Sequence, residues 1–426
     1  FIVMSRTCRA GVKGQWLEIW KKEKCPRRWT ESEKRYLDKK GPSMDLDKKR
    51  GVSLLSCMGK KYGHSVAARL KLVLDSSISR VQGTGRGRGC MVQVGALAQV
   101  VGSRWERGKR TIGTPIDLRK AFDVVCHRMK RAKLQEKGVR GRLLNNVTAK
   151  YEERWARVKV KAEGGGFVFS DWWRDRGKGV TQGGVDSMEL FAAMVDDLEE
   201  ALVEAGVAGV AAEEGGELIR LLLFADDAIL LNESSDDAQK ALDAVEKFYL
   251  RWGLVPNPDK CEVIVWSPDK TQMAPKLTLI GRVLGVKTDI VYLGVKMTMR
   301  PTWDGHIKRR TKAARKWRWK TRNIARKKGR APIEVETVLR KGGERASEAY
   351  GGELWASMKN KRYDQVWTGQ AQTEKAMLGM SKWSPTCLAR EEFAVDDWMG
   401  ELWLRGAEMM KNALQNEECG VASVIL

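Results

Sequence analysis

Two adjacent carboxylates, Asp226 and Asp227, stand between the apolar runs Leu221-Leu222-Leu223-Phe224-Ala225 and Ala228-Ile229-Leu230-Leu231. Three other Asp-Asp pairs, at 196–197, 236–237 and 396–397, lie in polar or amphipathic helical surroundings. Only the pair at 226–227 is framed by segments with the length and composition of buried strands. Two like charges about 4 Å apart repel by roughly 4 kcal/mol at an effective dielectric of about 20, unless a cation offsets them. A divalent metal ion is the expectation, and a third carboxylate should then approach from another strand end. Asp117 fits, because it closes the strand-like run Thr111–Ile116 and leads into Leu118-Arg119-Lys120-Ala121-Phe122-Asp123, which reads as the start of a helix. Three carboxylates so placed can hold two Mg2+ ions about 3.5–4 Å apart, with Mn2+ as a substitute, a spacing that serves in-line phosphoryl displacement. One ion would activate the attacking hydroxyl and the other would steady the departing pyrophosphate. The competing assignment makes Asp117 a helix N-cap and Asp226-Asp227 a solvent-exposed turn.

The elements that must position these residues can be read around them. After the Asp226-Asp227 hairpin, Ser234 or Ser235 caps a helix whose Leu242, Val245, Phe248 or Tyr249 and Trp252 recur at helical spacing before Gly253 stops it. That stripe is core. Between Trp155 and Trp173, the alternation of Val158 and Val160, the turn Gly164-Gly165-Gly166, then Phe167 and Phe169 predicts a β-hairpin. Gly83 to Gly89 forms a basic, glycine-rich loop in which Arg86 and Arg88 have the backbone freedom to meet phosphates, or which is an ordinary surface loop. Strand, helix, hairpin, helix, strand is an α+β order with helices on one face of a sheet.

The chain resembles the reverse transcriptase domain of non-LTR (LINE-type) retrotransposons, through motifs that occur in order along most of its length. Cys25-Pro26-Arg27-Arg28-Trp29, Leu37-Asp38-Lys39-Lys40-Gly41 and Lys49-Arg50-Gly51-Val52-Ser53-Leu54-Leu55-Ser56 look like the entry into the family's fingers. Gln82-Gly83-Thr84-Gly85-Arg86-Gly87-Arg88-Gly89 is similar to its glycine-arginine motif, with Thr84 where Phe is usual. Asp117–Asp123, Gly179-Val180-Thr181-Gln182-Gly183 with Ser187, Phe224–Asp227, Gly253–Glu262 and Tyr292-Leu293-Gly294 follow in the expected order. The resemblance implies a right-hand polymerase fold with fingers, a palm built on an antiparallel sheet and a mostly helical thumb. Residues 1–110 would be an N-terminal extension and fingers, 111–300 the palm with interleaved fingers elements, and 301–426 a basic thumb and C-terminal helical region.

By the same resemblance, Asp117 and Asp226 bind both metals, Asp227 contributes to one, and the Leu118 carbonyl is an added ligand. Phe122 matches the aromatic position that crowds the sugar 2′ carbon and favours deoxynucleotides, although periodicity alone makes it a core Phe. Gln182 and Gly183 lie against the template base and incoming nucleotide, Arg50 and Arg88 near its triphosphate. Lys260 is the cation that helps neutralise or protonate the departing pyrophosphate, and Tyr292, Leu293 and Gly294 form the primer grip. The implied partners are an RNA template, a DNA primer, their hybrid and deoxynucleoside triphosphates. Departures from the family pattern are Pro115 in a central strand, Thr181 where Arg is common, and Asp186, Met188 and Glu189 around Ser187.

Charge agrees with a nucleic-acid partner. The 426 residues carry 78 Lys and Arg against 54 Asp and Glu, a net +24 that draws polyanions. From Lys308 to Arg330 there are thirteen basic residues and no acid, interleaved with Trp317 and Trp319. Lys308, Arg309, Arg310, Arg315, Lys316 and Arg318 would track phosphates while the indoles stack on bases; the other readings are a solvated basic helix or a nuclear-import signal. The eight cysteines form no CxxC pair, so free thiols in a reducing compartment, nuclear or cytoplasmic, are expected. No run of about 18 apolar residues reads as a membrane span, and no signal peptide is evident. Three functions remain open: an RNA-directed DNA polymerase, a decayed relic that binds RNA or hybrid without polymerising, and an RNA-dependent RNA polymerase, against which Phe122 and Phe224-Ala225 argue.

Overall fold

The computed structural model describes residues 6–38, 49–152, 154–162, 164–175, 177–269, 274–327, 332–356, 363–393 and 398–415. Of the sequence motifs above, residues 39–41, the Asp396-Asp397 pair and the end of the basic run at 328–330 lie outside them. The architecture is α+β, built around two five-stranded sheets.

The first sheet runs in the order Gly285–Lys287, Glu262–Trp266, Thr111–Ile116, Asp227–Asn232, Leu221–Phe224. Its central strand, Thr111–Ile116, is antiparallel to both neighbours. Leu221–Leu223 and Ala228–Asn232 are buried throughout, which explains why they read as continuous apolar runs rather than as alternating strands. The helix Ser235–Arg251 covers one face with Ala238, Ala241, Leu242, Val245, Phe248 and Tyr249, the stripe read from the sequence. Ser234 caps it, its side-chain oxygen accepting a hydrogen bond from the Asp237 N–H at 3.1 Å. The helices Cys90–Glu106 and Ser187–Val195 pack into the same core.

Pro115 does not break the central strand. The Glu262–Trp266 strand pairs only as far as Gly113, so at Pro115 one flank carries no ladder to interrupt. Beyond that point the loop after Gly253 takes over, with Leu118 bridged to Pro256 and the Arg119 N–H donating to the Val255 carbonyl at 2.8 Å.

The second sheet runs Lys49–Leu55, Glu31–Asp38, Arg154–Lys161, Phe167–Phe169, with Trp173–Asp175 also paired to Arg154–Ala156. Pairing of Glu31–Lys34 with Trp155–Val158 is parallel and the rest antiparallel. The hairpin expected between Trp155 and Trp173 is present, with Lys159, Val160 and Lys161 opposite Phe169, Val168 and Phe167.

C-terminal to residue 303 the structure is helical, and Ile307, Trp355, Val366 and Leu402 form a small core of their own. Cys25, Cys57, Cys90, Cys126, Cys261 and Cys387 are free thiols. Among the described residues no helix is long and apolar enough to cross a membrane.

Candidate active site

The Asp226-Asp227 turn sits at the end of the first sheet, where Phe224 and Asp227 are the last paired residues. Ala225 closes the turn in the left-handed region at φ 53°. A residue other than glycine there costs about 1–2 kcal/mol, so something must hold it. The holder is Gln82. Its fully buried side chain accepts a hydrogen bond from the Ala225 N–H at 3.0 Å. On either side, the Gly83 N–H donates to the Leu223 carbonyl at 2.7 Å and the Leu223 N–H to the Val81 carbonyl at 3.0 Å. Gly83 has no room for a side chain, since a Cβ would lie 2.4 Å from Gln93 Cγ and 2.8 Å from Phe224 Cδ2. Arg88 donates to the carbonyls of Ser79 at 2.6 Å and Gln82 at 2.9 Å. The start of the glycine-arginine segment is thus a brace for the carboxylate turn, with Arg88 as its staple.

Asp117 is reached by the same sheet. Its N–H lies 3.3 Å from the Cys261 thiol and its carbonyl accepts from the Asn257 N–H at 2.8 Å. Its carboxylate accepts from Asn257 Nδ2 at 3.2 Å and pairs with Lys260 Nζ at 3.0 Å. Lys260 here is the counter-ion of Asp117 rather than a cation extended toward a leaving group. The pair is about half exposed, and such pairs contribute little, so the carboxylate is readily released to a stronger cation. Leu118, the source of the added carbonyl ligand, is buried against Pro256.

Asp226 and Asp227 sense the negative charge around them. Desolvation raises the Asp226 pKa, the negative charge of Asp117 adds to it, and Arg50 opposes it. Asp227 is pushed up to about 6, first by desolvation and then by Asp226 and Asp117, with Arg50 again opposing. Asp227 is exposed to solvent on one side while protein packs close on the others. Among the described residues no three His, Cys, Asp or Glu side chains are drawn together tightly enough to hold a metal as they stand. The donor set nevertheless fits a hard divalent ion, because it is all oxygen and Asp226 and Asp227 are raised in pKa by burial and by neighbouring negative charge. Asp117 would join by exchanging Lys260 for the ion.

Other expected residues fall around this centre. Gly183 adopts φ 99°, and the Gln182 carbonyl accepts from the Ser53 N–H at 3.1 Å, docking this loop on the second sheet. Phe122 is half-buried against Phe191 at 5.2 Å between ring centroids, and its carbonyl accepts from the Val180 N–H at 2.7 Å. Thr181 lacks the guanidinium common at its position; a buried guanidinium, that of Arg154 from the second sheet, lies against it and donates to Thr181 Oγ1 at 3.0 Å. Asp186, fully buried at the helix start, is neutralised by Lys150 at 2.8 Å.

Tyr292-Leu293-Gly294 is a hairpin turn with Leu293 and Gly294 at positive φ and Tyr292 opposite Val295, as two-residue turns require. Tyr292 is buried, and Tyr350 from the C-terminal region donates to the Leu293 carbonyl at 2.6 Å. The basic helix Asp304–Lys327 divides its charges. Lys308, Arg309, Arg315, Lys316, Trp317 and Trp319 are exposed, whereas Arg310 turns in to the Ser347 carbonyl and Arg318 pairs with buried Glu344 and Glu348. Sequence reasoning did not find the brace role of Gln82, the contact of Arg154 with Thr181, or Tyr350. Only Gln82 carried a signal, its place beside Gly83.

Residues 37–297 match the family described as reverse transcriptase (RNA-dependent DNA polymerase). Among curated relatives, the chain is 27% identical over 235 residues to the Pol polyprotein of a type-1 retrotransposable element R2 of Popillia japonica, covering 55% of this chain and 32% of the relative. It is 25% identical over 308 residues to the RNA-directed DNA polymerase from mobile element jockey of Drosophila melanogaster, covering 68% of this chain and 32% of that protein. The chain thus spans about a third of the length of these relatives. Among solved structures, apo telomerase from Candida tropicalis aligns with a TM-score of 0.46 at 11% identity, covering 99% of this chain and 74% of the other. With three carboxylates at one end of a mostly antiparallel sheet and the family match spanning that sheet and the turn after it, the chain belongs to the reverse transcriptase (RNA-dependent DNA polymerase) family.

Proposed function

We propose that the chain is the RNA-directed DNA polymerase of a non-LTR retrotransposon, joining a deoxynucleoside triphosphate to a primer 3′-hydroxyl on an RNA template. The observation that carries this reading is geometric: Asp117 follows the last residue of one strand, Ile116, which pairs with Ala228 immediately after the Asp226-Asp227 turn of the neighbouring hairpin. When bound, two divalent ions would supply hydroxyl activation and charge neutralisation at the leaving pyrophosphate. The protein's own part is positional. Asp226 and Asp227 are held on a turn that Gln82 fixes, and Asp117 is fixed from behind by Asn257. Arg50, exposed beside the carboxylates, is placed to meet the triphosphate, and Lys260, once freed from Asp117, to neutralise pyrophosphate. Phe122 closes the space beside the sugar 2′ carbon, and Gln182 and Gly183 meet the template base. Tyr292, Leu293 and Gly294 hold the primer end, while the outward cations of the helix Asp304–Lys327 follow the hybrid's phosphates. A reducing compartment, nuclear or cytoplasmic, suits the free thiols.

The relic reading rested on departures at 115, 181, 186, 188 and 189. Three of these have structural compensation, at Pro115, Thr181 and Asp186, which supports a working enzyme. Extension of a DNA primer on an RNA template with either deoxy- or ribonucleotides tests the proposal. Deoxynucleotide products alone are expected, with Phe122→Val admitting ribonucleotides. Equal use of ribonucleotides by the unaltered chain would select the RNA polymerase reading instead.

A further inference from the structure

Three two-residue hairpin turns place a residue other than glycine in the left-handed region, Ala225 at φ 53°, Ile280 at φ 50° and Leu293 at φ 44°. Such residues are strained and need a partner to hold them. Each has one. The Ala225 N–H donates to Gln82, the Ile280 N–H to Glu246 at 2.7 Å, and the Leu293 carbonyl accepts from the Tyr350 hydroxyl at 2.6 Å. Gln82 and Glu246 lie within residues 37–297, the stretch that matches the reverse transcriptase family, whereas Tyr350 lies beyond it. The turn that Tyr350 holds is tied to the carboxylate hairpin, because buried Tyr292 at its start donates to the Leu222 carbonyl at 3.5 Å.

Tyr350 is itself fixed from behind. Fully buried His306 accepts from the Lys296 N–H at Nδ1, 3.2 Å away, so its Nε2 carries the proton and donates to the Tyr350 carbonyl at 2.9 Å. Two glycines let the parts approach. A Cβ on Gly294 would lie 3.1 Å from Tyr350 Cε1, and one on Gly351, at φ 78°, would lie 3.0 Å from His306 Nε2. A tyrosine so placed could be no more than a staple between the hairpin and the C-terminal helices. That role is already filled, since His306 on the helix Asp304–Lys327 bonds the hairpin at Lys296, and those helices have a core of their own in Ile307, Trp355, Val366 and Leu402. Staple duty also leaves the open ring unexplained. Tyr350 is 36% exposed, and it stands within electrostatic reach of the site: partial burial raises its pKa first, and the charges of Cys90 and Asp227 add to that.

We infer that Tyr350 is a positioning residue for the polymerase reaction, its hydroxyl fixing the Leu293-Gly294 turn, and through that turn the primer 3′ end, relative to Asp226 and Asp227. The inference rests on the reading of Tyr292, Leu293 and Gly294 as the primer grip, and adds to it a residue from beyond the matched stretch. The test is single-turnover extension at saturating hybrid and nucleotide, for the unaltered chain and Tyr350→Phe, on primers with a matched and a mismatched 3′ end. Phe keeps the ring against Gly294 and loses only the bond to Leu293. The matched rate should fall about tenfold, the worth of one hydrogen bond, while hybrid Kd and nucleotide KM stay within about twofold. Preference for the matched end should shrink as well, because a loosened turn no longer favours the correctly placed hydroxyl. An unchanged matched rate overturns the inference. So does a rate loss that comes with an equal loss of hybrid affinity and an unchanged matched-to-mismatched ratio, or a variant that no longer folds, since either result makes Tyr350 a staple only. Failure of the underlying readings shows separately. No extension by the unaltered chain on either primer sinks the polymerase reading, and 4-thiothymidine at the primer 3′ end that photocrosslinks to the unaltered chain without touching 292–294 sinks the primer grip.

Discussion

The two five-stranded sheets use the same number of strands for opposite purposes. The strands Leu221–Phe224 and Asp227–Asn232 of the first are buried along most of their length and meet at the Asp226-Asp227 turn, with Asp117 at the end of the adjacent strand. The second leaves aromatic and cationic side chains open on one face. Under the proposed function the difference is a division of labour, in which chemistry uses a rigid charge cluster and holding a polyanion uses many replaceable contacts. The basic helix Asp304–Lys327 repeats the division within one element, with Arg318 buried as structure and Lys308, Arg315 and Lys316 presented outward.

Breaking the rigid side should have the largest effect. Asp117→Asn is expected to reduce primer extension by about 10³-fold or more while hybrid affinity stays within about twofold, measured by extension and anisotropy in parallel. Gln82→Ala leaves the Ala225 N–H buried without its acceptor, a loss of about 1–3 kcal/mol. It should lower extension about tenfold with KM for nucleotide less affected than kcat, and a variant with unchanged kcat would show that the brace does not set the turn.

On the tolerant side the effect should be smaller and salt-dependent. Changing Lys308, Arg315 and Lys316 together to Gln should flatten the logarithmic salt dependence of hybrid binding by about 0.7–0.9 per lost phosphate contact. Arg318→Gln should instead lower the melting temperature and leave that slope alone, because it strands Glu344 and Glu348. An altered slope for Arg318→Gln would erase the distinction drawn within the helix.

The smallest effect concerns protons. The folded chain keeps a proton on Asp227 up to about pH 6, whereas the unfolded chain has released it above about 3.8. Metal-free stability contributed by this group therefore falls as pH rises between those values, since the folded state binds more protons there. Mg2+ should raise the melting temperature more at about pH 7 than at about pH 5, where protons compete for the carboxylates, and Asp227→Asn should flatten both trends.

Much of the rigid sheet was legible in the sequence because burial on both faces writes itself as apolar runs, and the acids at 117, 226 and 227 interrupt them. The Leu242-to-Tyr249 stripe and the Gly164–Gly166 turn were legible for the same local reason, periodicity and turn chemistry. Contacts across long separations were not. Gln82 meets Ala225 across 143 residues, and nothing local says that the glycine-arginine segment will lie alongside the carboxylate hairpin. Pro115 read as a fault because the sequence does not show where the neighbouring strand stops pairing. Arg318 read as a phosphate contact because a basic run does not reveal which of its faces meets Glu344.

The most direct test is extension of a labelled DNA primer on an RNA template, with Mg2+ and deoxynucleotides, for this chain and Asp226→Asn side by side. Extension by the unaltered chain and none by the variant, with equal binding of the hybrid, is the expected result. Equal hybrid binding with no extension by either would contradict the central claim, leaving a chain that holds nucleic acid on its open surfaces without chemistry at its carboxylates.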